Sequence, residues 1–437
     1  MISEKILSGI NGKINIPGDK SISHRAIIIP SISNGICEIK NLLKSDDVIH
    51  TLNAFKLMGV KIEESNNQVI VYGNGLNSLK KPYKEIYLGN SGTSARLLVG
   101  LLASQKFNTI LTGDKSLSSR PMKRITDPLE KAMGASIKTT KGSLPLKILS
   151  TDLINNENGI NIKIPSAQIK SGIILAALNT KGITKIIEHN VTRDHTEIML
   201  ESFGAGIETK NINQIKEIKI TGKKELLSKN IEVPSDLSSS AFLIVAALIN
   251  RNSKIILKNI NINPTRDGIL RALQLMGAKI TITNKKKLNN EPVADIEVLS
   301  SNLKGCELDK ESAKLMIDEY PILAVAASFA KSPSIFRGLS ELKVKESNRL
   351  ELIRLNLNNC GVYAKIIGDD LYIDPSKSSG IKTKLIRTDF DHRIAMSFAI
   401  MGTKIGGLNI NDPESINTSF PNFVQIFNNA GGNIIEK

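Results

Sequence analysis

Six times along this chain a short extended run breaks at a cluster of Gly, Pro, Ser or Asp and restarts as an apolar helix pattern rich in small residues. The segments begin at Pro17 (PGDKSISHRAIIIPSI), Gly89 (GNSGTSARLLVGLLA), Pro165 (PSAQIKSGIILAAL), Pro234 (PSDLSSSAFLIVAAL), Asp318 (DEYPILAVAASFA) and Asp389 (DFDHRIAMSFAIMG), 69 to 84 residues apart. A steady spacing of that length marks one supersecondary unit repeated six times. A second set of marks keeps the same period. Helix patterns end and strand-like alternation starts at Met58-Gly59, Met133-Gly134, Phe203-Gly204, Met276-Gly277, Cys360-Gly361 and Ala430-Gly431, where glycine can take the left-handed C-terminal conformation. Each repeat therefore holds at least two helices and several short strands, and the fold class is α/β. Every first helix begins with backbone N–H groups free to bind an anion.

Three repeats can share one interior where a single repeat cannot bury its apolar face. The division is expected after the third, near Asn230 to Val233, behind the Lys-rich stretch TGKKELLSKN. Two three-repeat domains facing each other would enclose a cleft rimmed by helix ends and basic side chains.

The net charge of +16 invites a nucleic-acid reading. Against it, the chain has no Trp, 6 Tyr and 11 Phe, none interleaved with a basic run as a base-stacking surface requires. Scattered surface Lys plus a site for acidic small molecules accounts for the charge better, and no nucleic-acid partner is expected. Cys37, Cys306 and Cys360 match neither a redox pair nor a zinc pattern, which fits reduced, buried thiols. No apolar run reaches membrane-spanning length, and the first residues lack the apolar core of a signal peptide. A cytoplasmic monomer with no membrane partner is expected.

The chemistry-bearing residues gather at the starts of the repeats. Lys20, Ser21 and Arg25 stand at the first helix start, a set suited to phosphate or carboxylate. In the second repeat, Gly92 in Asn90-Ser-Gly-Thr-Ser-Ala-Arg96 lets a ligand approach the backbone. Arg120, Lys123 and Arg124 follow in a Ser-rich stretch. The third repeat offers Ser166, Gln168 and Lys170, a capping hydroxyl, an amide and a cation, and then Arg193-Asp-His-Thr-Glu197. That segment lacks the His-x-x-x-His spacing of a helical zinc site, so no metal is expected.

The second half adds acids. Asp318 precedes an apolar helix, as an N-cap or as a base held at a cleft. Lys343, Lys345, Glu346 and Arg349 fall within seven residues, where Ser347 could cap the helix that follows. His392 and Arg393 begin the sixth anchor helix. Singly, each fits an ordinary cap or a solvated face. Together, charges recur at the same structural place in five of six repeats. Converging cations with two embedded carboxylates suit transfer between two small polyanions.

The motifs Pro17-GDKSISHR, Leu88-GNSGTSAR, Arg120-PM, Ser166-AQ, Ile317-DEYP, Val344-KESNRL, Asp391-HR and Ser419-FP together resemble the 5-enolpyruvylshikimate-3-phosphate synthases, across essentially the whole chain. The resemblance implies a two-domain inside-out α/β barrel, each domain three copies of a βαβαββ-like unit. It places residues 21–232 in the first domain, and residues 1–20 and 233–437 in the second. It implies transfer of the enolpyruvyl group of phosphoenolpyruvate to the 5-hydroxyl of shikimate 3-phosphate through a tetrahedral intermediate, with release of phosphate and no cofactor or metal.

By the same resemblance, Lys20, Ser21, Arg25, Ser166, Gln168, Arg193, Asp318 and Lys345 would hold shikimate 3-phosphate. Lys20, Gly92, Arg120, Gln168, Arg349 and Arg393 would hold phosphoenolpyruvate. Asp318, Glu346 and Lys20 would be catalytic, Asp318 taking the hydroxyl proton and Glu346 protonating the methylene carbon. Asn90 and Arg96 would shape their loop. The chain departs from some members at Thr418, where they carry Lys, and at Ala167, where many carry Ser. The related UDP-N-acetylglucosamine enolpyruvyl transferases typically have Lys-Asn in place of Lys20-Ser21 and a loop cysteine absent from Lys115-SLSSRPMK. A non-catalytic polyanion-binding scaffold would not explain acids within a cationic site.

Overall fold

The computed structural model describes every residue except Asn67, Gln214 and Lys437. Among the described residues the strands form six four-stranded sheets, one per repeat. The second repeat shows the plan. Ile86–Tyr87 leads into the helix Gly92–Ala103, which returns the chain to Thr109–Thr112, parallel to the first strand. A second helix, Lys123–Met133, then delivers the hairpin Ser136–Thr140 and Ser143–Leu149, whose second arm pairs antiparallel with Thr109–Thr112. The third repeat repeats this order with Ile160–Ile162, Ala167–Ala177, Ile183–Glu188, His195–Ser202, Gly206–Ile212 and Ile215–Thr221.

The six glycines that close the helices have positive φ, from 73° at Gly134 to 103° at Gly431. This is the left-handed geometry in which a Cβ is strained.

Three repeats are completed by distant segments. The first sheet takes its leading strand from Ile231–Glu232, parallel to Asn34–Lys40. The strand that precedes the first anchor helix, Asn11–Ile14, instead pairs parallel with Lys254–Asn261 in the fourth sheet. In the sixth sheet Ile2–Ser3 inserts between Leu408–Ile410 and Ile434–Ile435. The chain thus divides into two compact units. The first comprises Gly18–Val233 with Leu288–Glu291; the second comprises Met1–Pro17, Pro234–Lys287 and Pro292–Lys437.

Each unit is built inside out because of its anchor helices. All 13 residues of Leu237–Ile249 and all nine of Tyr320–Ser328 are buried. A helix apolar on every side has no face to give to water and must lie inside. Together with His392–Ile405 they form the center of the second unit, while strands such as Asp370–Asp374 turn alternate residues inward over them. Each unit has its own apolar core. Cys37, Cys306 and Cys360 lie unbridged in these cores, and burial pushes their thiols up to about 12, 11 and 12. Among the described residues no helix is long and apolar enough to cross a membrane.

Candidate active site

In the first unit the helix Lys20–Ser31 is capped by Asp19, whose carboxylate accepts from the Ile22 amide at 2.9 Å. Ser21 is thereby released from capping and sits half-buried in the first turn. Lys20 Nζ lies 2.5 Å from the buried Asp47 carboxylate, which the first turn of Asp46–Leu57 supplies. Arg25, one turn further on, is almost wholly buried. It donates through Nε to Thr196 Oγ1 at 2.6 Å, through Nη1 to the Ser21 carbonyl at 2.7 Å and through Nη2 to Ser171 Oγ at 2.8 Å. Burial lowers its guanidinium to about 10 against the pull of Glu197 and Glu291, and Arg193 lowers it further. A second cation close enough to disfavor the first leaves a local demand for anionic charge.

The second and third anchor helices meet at glycine. A Cβ on Gly100 would fall 1.8 Å from the Gly172 carbonyl, so only glycine admits this crossing. The close approach carries Gln168, in the first turn behind the Ser166 cap, onto the second helix. Gln168 Nε2 donates to Thr93 Oγ1 at 2.9 Å and its Oε1 accepts from Arg96 Nη1 at 2.5 Å. A Cβ on Gly92 would lie 2.9 Å from Arg96 Nη1 and 3.0 Å from Arg120 Nη1. Arg120 is buried and donates to Asn90 and, at 3.2 Å, to Ser116 Oγ. Asn90 and Arg96 thus hold Arg120 and Gln168 in place.

Lys170, grouped in the sequence with Ser166 and Gln168, points away from them. It is fully buried, 3.1 Å from Glu188 and 2.9 Å from Glu197, and donates to the Thr192 carbonyl. It lies two residues beyond Gln168 in the helix, about 200° around the axis, and that rotation takes it to the inner side. It braces the segment that bears Arg193.

In the second unit the residues before Tyr320 do not divide as the sequence suggested. Glu319, not Asp318, is the N-cap residue of Tyr320–Ser328. The Asp318 carboxylate instead faces three cations: Arg349 Nη1 at 3.4 Å, Lys345 Nζ at 3.6 Å and Arg393 Nη2 at 4.0 Å. Asn348, not Ser347, caps the helix Arg349–Asn359, because its side chain accepts from Glu351 N; Ser347 donates to Asp391 at 2.9 Å.

Arg349 is 1% exposed and organizes this face. Nε lies 2.8 Å from Asp391 Oδ2, Nη2 lies 2.6 Å from Glu346 Oε2, and Nη1 reaches Asp318. Burial opposes its charge, yet Asp391, Glu346 and Asp318 outweigh burial and raise it above the ordinary arginine value. Asp391 also caps His392–Ile405 by accepting from Arg393 N at 2.9 Å. Arg393 in turn donates to the Asp318 carbonyl at 3.2 Å.

The sequence reading passed over Asp47 and Asp391 as partners of the cations. Both stand where a helix begins, in Ser45-Asp-Asp and Phe390-Asp-His, and that position was the available signal. His392 Nδ1 lies 3.1 Å from Thr418 Oγ1, so Thr418 joins the sixth helix start without bringing a charge.

The family model for EPSP synthase (3-phosphoshikimate 1-carboxyvinyltransferase) matches residues 5–427. The 3-phosphoshikimate 1-carboxyvinyltransferase of Ruthia magnifica is 44% identical over 434 residues, covering 98% of each chain. That of Petrotoga mobilis is 45% identical over 430 residues, covering 96% of each. The solved EPSP synthase of Acinetobacter baumannii superposes with a TM-score of 0.85 at 40% identity over 98% of each chain. An enolpyruvyl transferase from Streptomyces tendae, at 15% identity and a TM-score of 0.79, shares the fold. The chain belongs to the EPSP synthase family, the 3-phosphoshikimate 1-carboxyvinyltransferases.

Proposed function

We propose that Lys20, Ser21, Arg25, Ser166, Gln168 and Arg193 of the first unit, with Asp318 and Lys345 of the second, hold shikimate 3-phosphate. Lys20, Gly92, Arg120, Gln168, Arg349 and Arg393 hold phosphoenolpyruvate. The substrates carry phosphate and carboxylate, which the guanidinium forks match in charge and shape.

One observation carries the assignment of roles: Asp318 and Glu346 share the single buried guanidinium of Arg349. In the addition step the 5-hydroxyl oxygen bonds to the central carbon of phosphoenolpyruvate and its proton passes to Asp318. Glu346 takes up a proton once the anionic substrates are bound and gives it to the methylene carbon. One carboxyl is neutralized as the other becomes charged, so the net charge around Arg349 does not change. Elimination reverses the exchange: Glu346 takes a methyl proton, the carbon–oxygen bond to phosphate breaks, and Asp318 returns its proton to the departing phosphate. A buried cation cannot be left with a surplus or deficit of partners cheaply, and this pairing avoids both.

The purified protein should release phosphate only when both shikimate 3-phosphate and phosphoenolpyruvate are present. Release with UDP-N-acetylglucosamine in place of the former would move the chain to that other acceptor.

Gly92→Ala should fold, because the atoms its methyl would meet are the tips of Arg96 and Arg120. Displacing Arg120 should raise KM for phosphoenolpyruvate by about tenfold, the equivalent of ~1.4 kcal/mol. KM for shikimate 3-phosphate should rise less, through Arg96 and its partner Gln168. Steady-state titration of each substrate checks both.

A further inference from the structure

Glu319 is a carboxylate buried to 1% exposure beside a site built to receive anions, and the roles assigned above do not use it. Burying an ionized carboxylate is costly unless it is paired and hydrogen-bonded. Three helix starts supply the compensation. Glu319 stands at the N-terminus of Tyr320–Ser328, where the helix dipole favors negative charge. Its Oε1 accepts from Ser238 Oγ, in the first turn of Leu237–Ile249. Ser238 Oγ accepts in turn from Arg266 Nη2 at 2.7 Å, and that nitrogen also lies 3.0 Å from Asp236 Oδ1. At the start of His392–Ile405, Arg393 Nη1 lies 3.8 Å from Glu319 Oε1 and 3.2 Å from the Asp318 carbonyl oxygen.

We propose that Glu319 is a positioning residue that holds the Arg393 guanidinium against the Asp318 carbonyl and so sets this chain's affinity for phosphoenolpyruvate. The inference rests on the assignment of Arg393 to that substrate. Arginine has several rotatable bonds, and the Asp318 carboxylate is 4.0 Å from Nη2. Without Glu319, the guanidinium is drawn to that carboxylate and away from its anion-binding orientation. Glu319 acts through Arg393, and Ser238 and Arg266 fix its own orientation.

Glu319→Gln keeps the volume and an oxygen for Ser238 but removes the charge. It should raise KM for phosphoenolpyruvate by about tenfold, leave KM for shikimate 3-phosphate within about twofold, and change kcat less than KM. Glu319→Asp should recover part of the loss. Should the Gln variant fail to fold, Ser238→Ala, which withdraws the hydroxyl that orients Glu319, carries the same expectation. Both KM values rising together, or a lowered unfolding midpoint with both KM values unchanged, would overturn the inference.

A readout independent of turnover separates this inference from the functional reading. Phenylglyoxal labeling of the Arg393 peptide, followed by mass spectrometry, should be several-fold faster in Glu319→Gln than in the unsubstituted protein, because the guanidinium has lost an anionic partner. Equal labeling rates would overturn the positioning role. An unsubstituted protein that releases no phosphate would refute the enolpyruvyl assignment while leaving this measurement to decide the placement of Arg393.

Discussion

Asp318→Asn should lower kcat by about 10²- to 10⁴-fold, the range general acid–base catalysis supplies, while KM for phosphoenolpyruvate stays level or falls. Direction follows from the surroundings. Asp318 is the one carboxylate that faces all three of Lys345, Arg349 and Arg393 among the ion pairs described, so neutralizing it strengthens their field toward an incoming anion. A residue needed only for binding would show the reverse, a raised KM with kcat intact, and that outcome would remove Asp318 from the chemistry. Losses confined to turnover mark an interaction that matters in the transition state. Glu346→Gln should follow the same pattern, since it withdraws the proton donor and leaves Arg349 still paired with Asp391 and Asp318.

What the sequence revealed of this site, and what it hid, divides by range. The helices were legible because each announces itself locally, the anchor helix of each repeat by a cluster of turn residues and a run of small apolar residues, the second helix by a closing glycine. All six of those glycines carry the positive φ that their position implied. The segment contents of the sixth sheet were not legible. The strand between Leu408–Ile410 and Ile434–Ile435 is Ile2–Ser3, which lies more than four hundred residues away in sequence. No local propensity reports such a pairing.

At the site the same limit decides which readings changed. Capping preferences suggested Asp318 and Ser347 as helix caps, since Asp and Ser favor that position. Each lost it to the next residue, Glu319 and Asn348, because tertiary partners claimed the side chain: three cations for Asp318, and Asp391 for Ser347. Lys170 reads as one cation in a cationic motif, yet its helix turns it inward onto Glu188 and Glu197. Periodicity could have shown this, since Lys170 falls on the same helical side as the buried Ile173 and Ile174. Charge by itself could not. The net charge of +16 likewise overstates what the site offers, since many of the cations named here are bound to buried acids.

Arg349→Met should be the most damaging substitution for stability, costing roughly 3–5 kcal/mol. Arginine-to-methionine nearly preserves the stem and its packing, so the loss isolates the charge. Asp391 is fully buried, caps His392–Ile405 and lies 2.8 Å from Arg349 Nε. Deprived of that partner, it must either remain ionized in an apolar interior or take up a proton and weaken the cap. Glu346 and Asp318 lose the guanidinium that holds them together, so activity should vanish along with stability. Adding Asp391→Asn to Arg349→Met separates the two effects. The double variant removes the stranded charge and should regain part of the unfolding free energy, measured in urea, while remaining inactive. Should the double variant be no more stable than Arg349→Met alone, the cost would lie in packing around the side chain, and the electrostatic account of this face would fail.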